Sequence, residues 1–299
     1  MSTRFTTPVA RGLLFVTIAA IAWGTGGVIA AVLYQHTDLG PIALSFWRTA
    51  IGVAVLALLY ARQRHPAALS PRRLSVTLVT GVGLAVYQTA YYAAVARSGV
   101  AVATVLTLGS APVLIAVGAR LTISERLGMT GVVAVAMAPF GLLLVVGGTG
   151  AVGGTAGVVL SLLSAAGYAV VTVLHRSLGG ADPARTTLTG FAVAAACLLP
   201  LAIVEGLWPV RGSGLETIAL LGYLGVFSTA MAYRLFFASL GAVRAATVSI
   251  VSLSEPLTAA ALAALLLGER LTWTMVGGAV VLLGAVVLLA RGDVATAPG

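Results

Sequence analysis

The chain has 299 residues, of which 60% are hydrophobic and only 8% charged, and its mean hydropathy is +1.08. An ordinary soluble domain carries about 25% charged residues, so this composition excludes a water-surrounded globular protein, and the single cysteine, Cys197, excludes a disulfide scaffold. The formal charge of +9 comes from arginines scattered between apolar runs, which points to orientation in a bilayer and away from nucleic acid.

A transmembrane helix needs about 20 apolar residues. Ten such runs can be drawn, at about 12–33, 41–60, 74–96, 99–120, 127–146, 155–175, 185–204, 215–237, 243–267 and 272–290. The expected fold class is an all-α polytopic membrane protein. On the same rule, ten spans use roughly 200 residues and leave no room for a soluble domain. The first run is long and lacks a clean cleavage site, so it is expected to be a retained helix. With the N-terminus in the cytoplasm, Arg97, Arg211 and Arg270 fall outside and Arg48 falls within a span. The other thirteen of the 17 basic residues fall inside. That bias predicts both termini in the cytoplasm and an even number of spans.

The chain repeats itself. Gly109-Ser110-Ala111-Pro112 matches Leu253-Ser254-Glu255-Pro256, Glu125-Arg126-Leu127 matches Glu269-Arg270-Leu271, and Thr130 matches Thr274, all at an offset of 144 residues. The repeat is therefore five spans long. Because five is odd, the second copy enters the membrane the other way up, as in the inverted-repeat plan of secondary transporters. The expected units are residues 1–147 and 148–299. Pro112 and Pro256 fall near the middle of spans four and nine, where each removes a backbone donor and frees a carbonyl, at Leu108 and Ser252. They read as paired kinks lining a central path, against the alternative that proline is simply common in membrane helices.

Several side chains are candidates for binding. Glu255 is the one acid placed well inside a span. An ionised carboxylate at the bilayer centre costs roughly 2.5–3.5 kcal/mol on insertion scales. Glu255 therefore reads either as a proton-coupling or amine-binding group, or as a neutral acid bonded to Ser252, Ser254 or a freed carbonyl. Arg48, about mid-helix in span two, reads either as a bidentate partner for a substrate carboxylate or as a structural anchor. Tyr87, Gln88 and Tyr91 share span three, and Tyr87 and Tyr91, four apart, share one face. Trp23 and Tyr168, with Trp47, are expected to complete an aromatic pocket for an apolar metabolite. Trp208 and Trp273 fit an interfacial belt. Gly24, Gly26 and Gly27 predict close helix packing, with a hinge as the alternative.

What is absent narrows the function. No Gly-x-Ser-x-Gly elbow accompanies a buried histidine, and no Walker motif is present. No His, Cys or acidic cluster has metal-ligand spacing. Neither an enzyme nor a cofactor or metal is therefore expected. A channel is disfavoured by the lack of a filter-like loop.

Trp23-Gly24 in span one, Arg48 in span two, and a proline followed by Ser124-Glu125 or Gly268-Glu269 at the ends of spans four and nine together resemble the EamA family of the drug/metabolite transporter superfamily. The resemblance covers the whole chain. Within the family the chain looks most similar to the YddG-like branch, which exports aromatic and other apolar amino acids. Ser124 stands where the family often has glycine. The resemblance implies a bacterial inner-membrane carrier that moves a small-molecule substrate by alternating access. Its surroundings are the lipid bilayer, a monomer suffices, and no nucleic acid is involved. The alternative is a proton-coupled exporter of cationic drugs or quaternary amines, with Glu255 as the cation's partner.

Overall fold

The computed structural model describes residues 8–60, 71–122, 129–148, 154–178, 183–240 and 251–295, and these contain no strand. The helices in chain order are α1 (Pro8–His36), α2 (Pro41–Tyr60), α3 (Pro71–Ser98), α4 (Val100–Thr122), α5 (Met129–Gly148), α6 (Gly154–Leu178), α7 (Pro183–Glu205), α8 (Gly214–Gly225), α9 (Ala232–Leu240), α10 (Ser254–Leu266) and α11 (Trp273–Ala295). A π-helical turn, Val226–Met231, joins α8 to α9 in one continuous rod.

Proline opens α1, α2, α3 and α7. At that position its missing N–H would have had no helical partner, and its fixed φ suits the first turn. One residue, Gly99, separates α3 from α4. Its φ of +80° is a conformation that L side chains rarely adopt, and it lets the chain reverse without a loop.

Seven stretches of described helix are long and apolar enough to cross a membrane. Gly131–Val145, Ser254–Leu266 and Trp273–Leu288 are apolar but shorter. Large hydrophobic side chains face outward along the bundle, Leu58, Leu143 and Val204 among them. That is the arrangement a hydrocarbon solvent rewards.

The interior is built on close approach. α5 lies along α11, α3 along α6 and α7, α2 along α7 and α8, and α1 along α9 and α10, while α4 packs on α6 and α10. The α5–α11 pair crosses at Gly141 and Gly278, where a Cβ on Gly278 would lie 2.7 Å from the Gly141 carbonyl oxygen. Small residues at such crossings let backbones touch and gain dispersion contacts that lipid cannot supply. Buried hydroxyls fold back onto their own helices, as Ser45 does to the Pro41 carbonyl and Thr49 to that of Ser45.

The all-helical expectation holds among the described residues, where seven stretches are long enough to span; the run expected at 243–267 is interrupted at Leu253. Glu125, Arg126 and Leu127 of the repeat motif lie outside the described residues, as do 149–153 of the glycine-rich link and 241–250 at the start of the expected ninth span.

Candidate functional site

Arg48 lies on α2 and is 8% exposed. Its Nε donates to Thr229 Oγ1 at 2.9 Å, its Nη2 donates to the Ser228 carbonyl at 3.1 Å, and its Nη1 donates to Gln88 Oε1. The guanidinium also lies over the Tyr92 ring, 5.5 Å from its centroid. Both second-segment partners belong to the π-helical turn. A π turn widens the backbone and leaves a carbonyl available for a side chain, and here the Ser228 carbonyl takes the guanidinium. Thr229 Oγ1 in turn donates to the Leu224 carbonyl at 2.8 Å. Arg48 thus ties α2, α3 and the π turn together, with Gln88, itself 2% exposed, spent on the same purpose.

Glu255 is in the first turn of α10 and is partly buried. No hydrogen bond or ion pair holds its carboxylate among the described residues. Arg48 and the Tyr87, Tyr91, Tyr92 and Tyr233 side chains lie within electrostatic range of it. The helix is interrupted at Leu253, so Glu255 and Pro256 fall in a fresh first turn that no side chain caps. Ser252 sits just before this break. Pro112, the repeat mate of Pro256, lies inside α4, which runs through it without interruption.

Backbone approach fixes the position of Glu255. A Cβ on Gly24 of α1 would lie 2.7 Å from the Glu255 carbonyl oxygen and 2.8 Å from Thr258 Cβ. Gly27 does the same for the aromatic face, because its Cβ would lie 2.6 Å from the Tyr91 hydroxyl. The glycines of span one are therefore packing residues.

The aromatic candidates divide into two groups. Trp23 stands edge-on to Tyr233, centroids 5.1 Å apart, and against Phe236, and its indole N–H is buried with no acceptor among the described residues. Tyr87 lies against Tyr168 at 5.2 Å, and the Ser164 hydroxyl donates to the Tyr87 carbonyl. Tyr91 shares a hydrogen bond of 2.8 Å with Thr104 of α4. Trp47 does not join them. Its indole N–H donates to the Leu207 carbonyl at 2.7 Å and its ring meets Trp208, which puts it with the belt.

Sequence reading missed three things. Tyr233 and Phe236 complete the wall around Trp23; they sat among ordinary apolar residues of span eight and carried no signal. The π turn has no sequence signature. Acids near span ends carry no sequence signal of a partner, yet Glu205, Glu216, Glu269 and Asp38 each bind another part of the fold. The Ala43 N–H donates to Glu205 at 2.7 Å, and the Val100 and Ala101 N–H groups donate to Glu269 at 2.6 and 3.0 Å.

With this geometry in place, comparison with known proteins is informative. The pattern of the EamA-like transporter family matches the chain twice, over residues 10–147 and 155–291. A protein of Bacillus subtilis (strain 168) named "Uncharacterized transporter YwfM" is 31% identical over 285 residues, 93% of each chain. "Uncharacterized protein PA1977" of Pseudomonas aeruginosa is 29% identical over 94% of this chain and 95% of its own. An "Uncharacterized transporter" of Archaeoglobus fulgidus is 31% identical over 70% of this chain. One solved structure, described only as the crystal structure of a protein, superposes with a TM-score of 0.62 at 20% identity, covering 94% of this chain and 98% of its own; at that identity it speaks to the fold alone.

Proposed function

Because the chain belongs to the EamA-like transporter family, and is thus a membrane transporter, we propose that it exports small organic solutes bearing an ammonium group on an apolar or aromatic body. Aromatic and other apolar amino acids are the first candidates. The observation that carries this reading is the Glu255 carboxylate, which has no bond among the described residues while the neighbouring cation, Arg48, is held by protein groups at each of its three nitrogens. A carboxylate left without a partner in a bilayer interior calls for a cation or a proton. A solute ammonium supplies the cation. Trp23, Tyr87, Tyr91 and Tyr168 supply a surface for its apolar part, and aromatic faces also attract cations directly.

We read the transport cycle as alternating access between two inverted halves, 1–147 and 148–299, each crossing the membrane five times, in a bacterial inner membrane with both termini in the cytoplasm. Two observations support the repeat. The family pattern occurs twice. Several of the helix pairs also survive exchange of the halves, with residues 214–240 counted as one rod: α5–α11, α2–α7 and α4–α10 map onto themselves, α3–α6 maps onto the rod with α1, and α3–α7 onto the rod with α2, while α4–α5 and α4–α11 have no such counterpart among the described residues. Gly81 packs on α7 and Gly225 on α2, and the two are 144 residues apart, the offset of the sequence repeat.

A second reading, cations that carry no carboxylate, is favoured by the state of Arg48. Three of the five guanidinium N–H donors are already spent on Thr229, Gln88 and the Ser228 carbonyl, which leaves an amino-acid carboxylate a reduced set of donors at Arg48. The test is uptake into proteoliposomes of labelled phenylalanine, tryptophan, methionine and a quaternary amine, each with and without a pH gradient. Saturable uptake of the amino acids supports the first reading. Uptake of the quaternary amine alone selects the second. No uptake of any of them refutes an ammonium solute at Glu255.

A further inference from the structure

Four carboxylates at one end of the bundle bind across it. Each contact joins a residue of the first family-matched segment to one of the second. Glu205, at the end of α7, accepts from the Ala43 N–H in the first turn of α2 at 2.7 Å. Glu269, in the turn after α10, spans the Val100 and Ala101 N–H groups at the start of α4, at 2.6 and 3.0 Å. Asp38, between α1 and α2, accepts from the Val210 and Arg211 N–H groups at 2.9 and 3.0 Å. His36, the last residue of α1, meets Glu216 of α8 at 2.6 Å.

The two glutamates that reach helix starts are seated in the same way. Gly40 precedes α2, and a Cβ there would lie 2.1 Å from Glu205 Cδ. Gly99 precedes α4, and a Cβ there would lie 2.7 Å from Glu269 Oε1. In each case a glycine clears the ground for a carboxylate from the other segment, and the carboxylate meets N–H groups that have no helical partner. Negative charge at that position also opposes the positive end of the helix.

We propose that Glu205 and Glu269 are the latches of a gate: they hold the loop end of the transporter shut, and transport requires both to release their helix starts. This inference rests on the alternating-access reading. In that cycle the two segments separate at one end while they close at the other, and bonds that cross between them at one end must break. A charge-assisted bond of this kind releases when the glutamate swings off its helix, and nothing covalent changes. Asp38 and His36–Glu216 sit at the same seam, but their bonds are exposed to solvent whereas those of Glu205 and Glu269 are partly buried, and the barrier falls chiefly on the two seated glutamates.

The test is a distance measurement that needs no substrate. Full-length protein with Cys197→Ser is reconstituted in lipid nanodiscs and spin-labelled at Gln35→Cys with Leu215→Cys, or at Arg97→Cys with Trp273→Cys. All four positions are exposed and flank the seam on opposite segments. Glu205→Ala and Glu269→Ala are each expected to lower the ratio of short-distance to long-distance populations about tenfold, as expected for loss of a hydrogen bond to a charged group. Their combination should act more strongly than either alone. Gly40→Ala, which leaves every carboxylate in place but unseats Glu205, should reproduce the Glu205→Ala shift at the first label pair. If an alanine variant does not fold, Glu205→Gln and Glu269→Gln keep the volume and are measured instead. Distance distributions that stay as in the parent protein in the folded double variant overturn the gate. Uptake is measured on the same preparations. If the parent protein transports none of the solutes offered, the solute reading fails, while the distances still decide the gate.

Discussion

At the loop end, Asp38, Glu205, Glu216 and Glu269 each hold a partner on another element. In the middle of the bundle Glu255 holds none among the described residues, whereas Arg48 holds three hydrogen-bond partners and an aromatic face. The loop end has water nearby, so its carboxylates are cheap to place and useful for joining helix starts. In the interior every charge is expensive. Arg48 is hydrogen-bonded through each of its three nitrogens, as suits a structural charge. A carboxylate left unbonded beside it is costly unless something visits it, and on the proposed function that difference would give Arg48 a structural role and Glu255 a binding one.

The sharpest way to break this comparison is Arg48→Ala. It removes the donors for Gln88, the Ser228 carbonyl and Thr229 at once, and leaves buried acceptors without partners. The expected loss of stability is on the order of 3 kcal/mol or more, read as a large fall in the thermal unfolding midpoint in detergent. Arg48→Lys should recover little of it, since one ammonium cannot reproduce the guanidinium fork. An Arg48→Ala protein as stable as the parent, and deficient only towards carboxylate-bearing solutes, would make Arg48 a substrate ligand and reverse the assignment.

Glu255→Gln probes the other side. Among the described residues it breaks no bond, and it removes an uncompensated interior charge, so stability should be kept or raised. Uptake of ammonium solutes should fall tenfold or more, the loss of one charge-assisted contact, while uptake of an uncharged analogue persists. Equal loss for both analogues would place Glu255 in the helix framework.

The helices were legible because a bilayer demands long apolar runs and because prolines mark four of the starts. The repeat was legible from the Pro and Glu-Arg-Leu spacing. Within the site, Glu255 stood out because an acid inside an apolar run needs a reason. The fate of Arg48 was not legible. Whether it meets a substrate or the protein depends on a π turn 180 residues further on, and no local pattern at Val226–Met231 announces that geometry. The latches were hidden for a similar reason: Glu205 and Glu269 look like any acid at a span end until the fold brings a helix start from elsewhere against them. Gly24 was legible as a packing residue, but its counterpart at Glu255 was not.

That counterpart yields a smaller, graded effect. Gly24→Ala puts a methyl group 2.7 Å from a backbone oxygen and 2.8 Å from Thr258 Cβ, neither of which is the far end of a flexible side chain. α1 and α10 must move apart, at an overpacking cost of about 1–3 kcal/mol, and the first turn of α10 moves with them. Uptake should therefore weaken along with stability. Gly27→Ala, which meets the tip of the Tyr91 ring, should cost less in stability than Gly24→Ala. A reversed order would mean that the α1–α10 contact does not position Glu255.

The smallest effect belongs to Asp38, which is fully exposed. The Arg211 amide, donating to the carboxylate, holds its pKa below the ordinary range, and the Val210 amide adds to this. A carboxyl lowered in the fold favours the folded arrangement above its unfolded pKa and loses that contribution as pH falls through the folded value. At neutral pH the Asp38 bonds are therefore fully made, and acidification below the ordinary carboxylate range should release them. Hydrogen exchange at the Val210 and Arg211 amides reports this directly. Asp38→Asn should speed exchange at both sites at neutral pH and remove the acid-induced change, while the unfolding midpoint of the bundle stays where it was. Exchange that is unchanged in Asp38→Asn would show that the 206–213 loop is held by its own turn, with Gly206 and Gly212 at positive φ. The loop end would then depend on Glu205, Glu269 and the exposed His36–Glu216 contact.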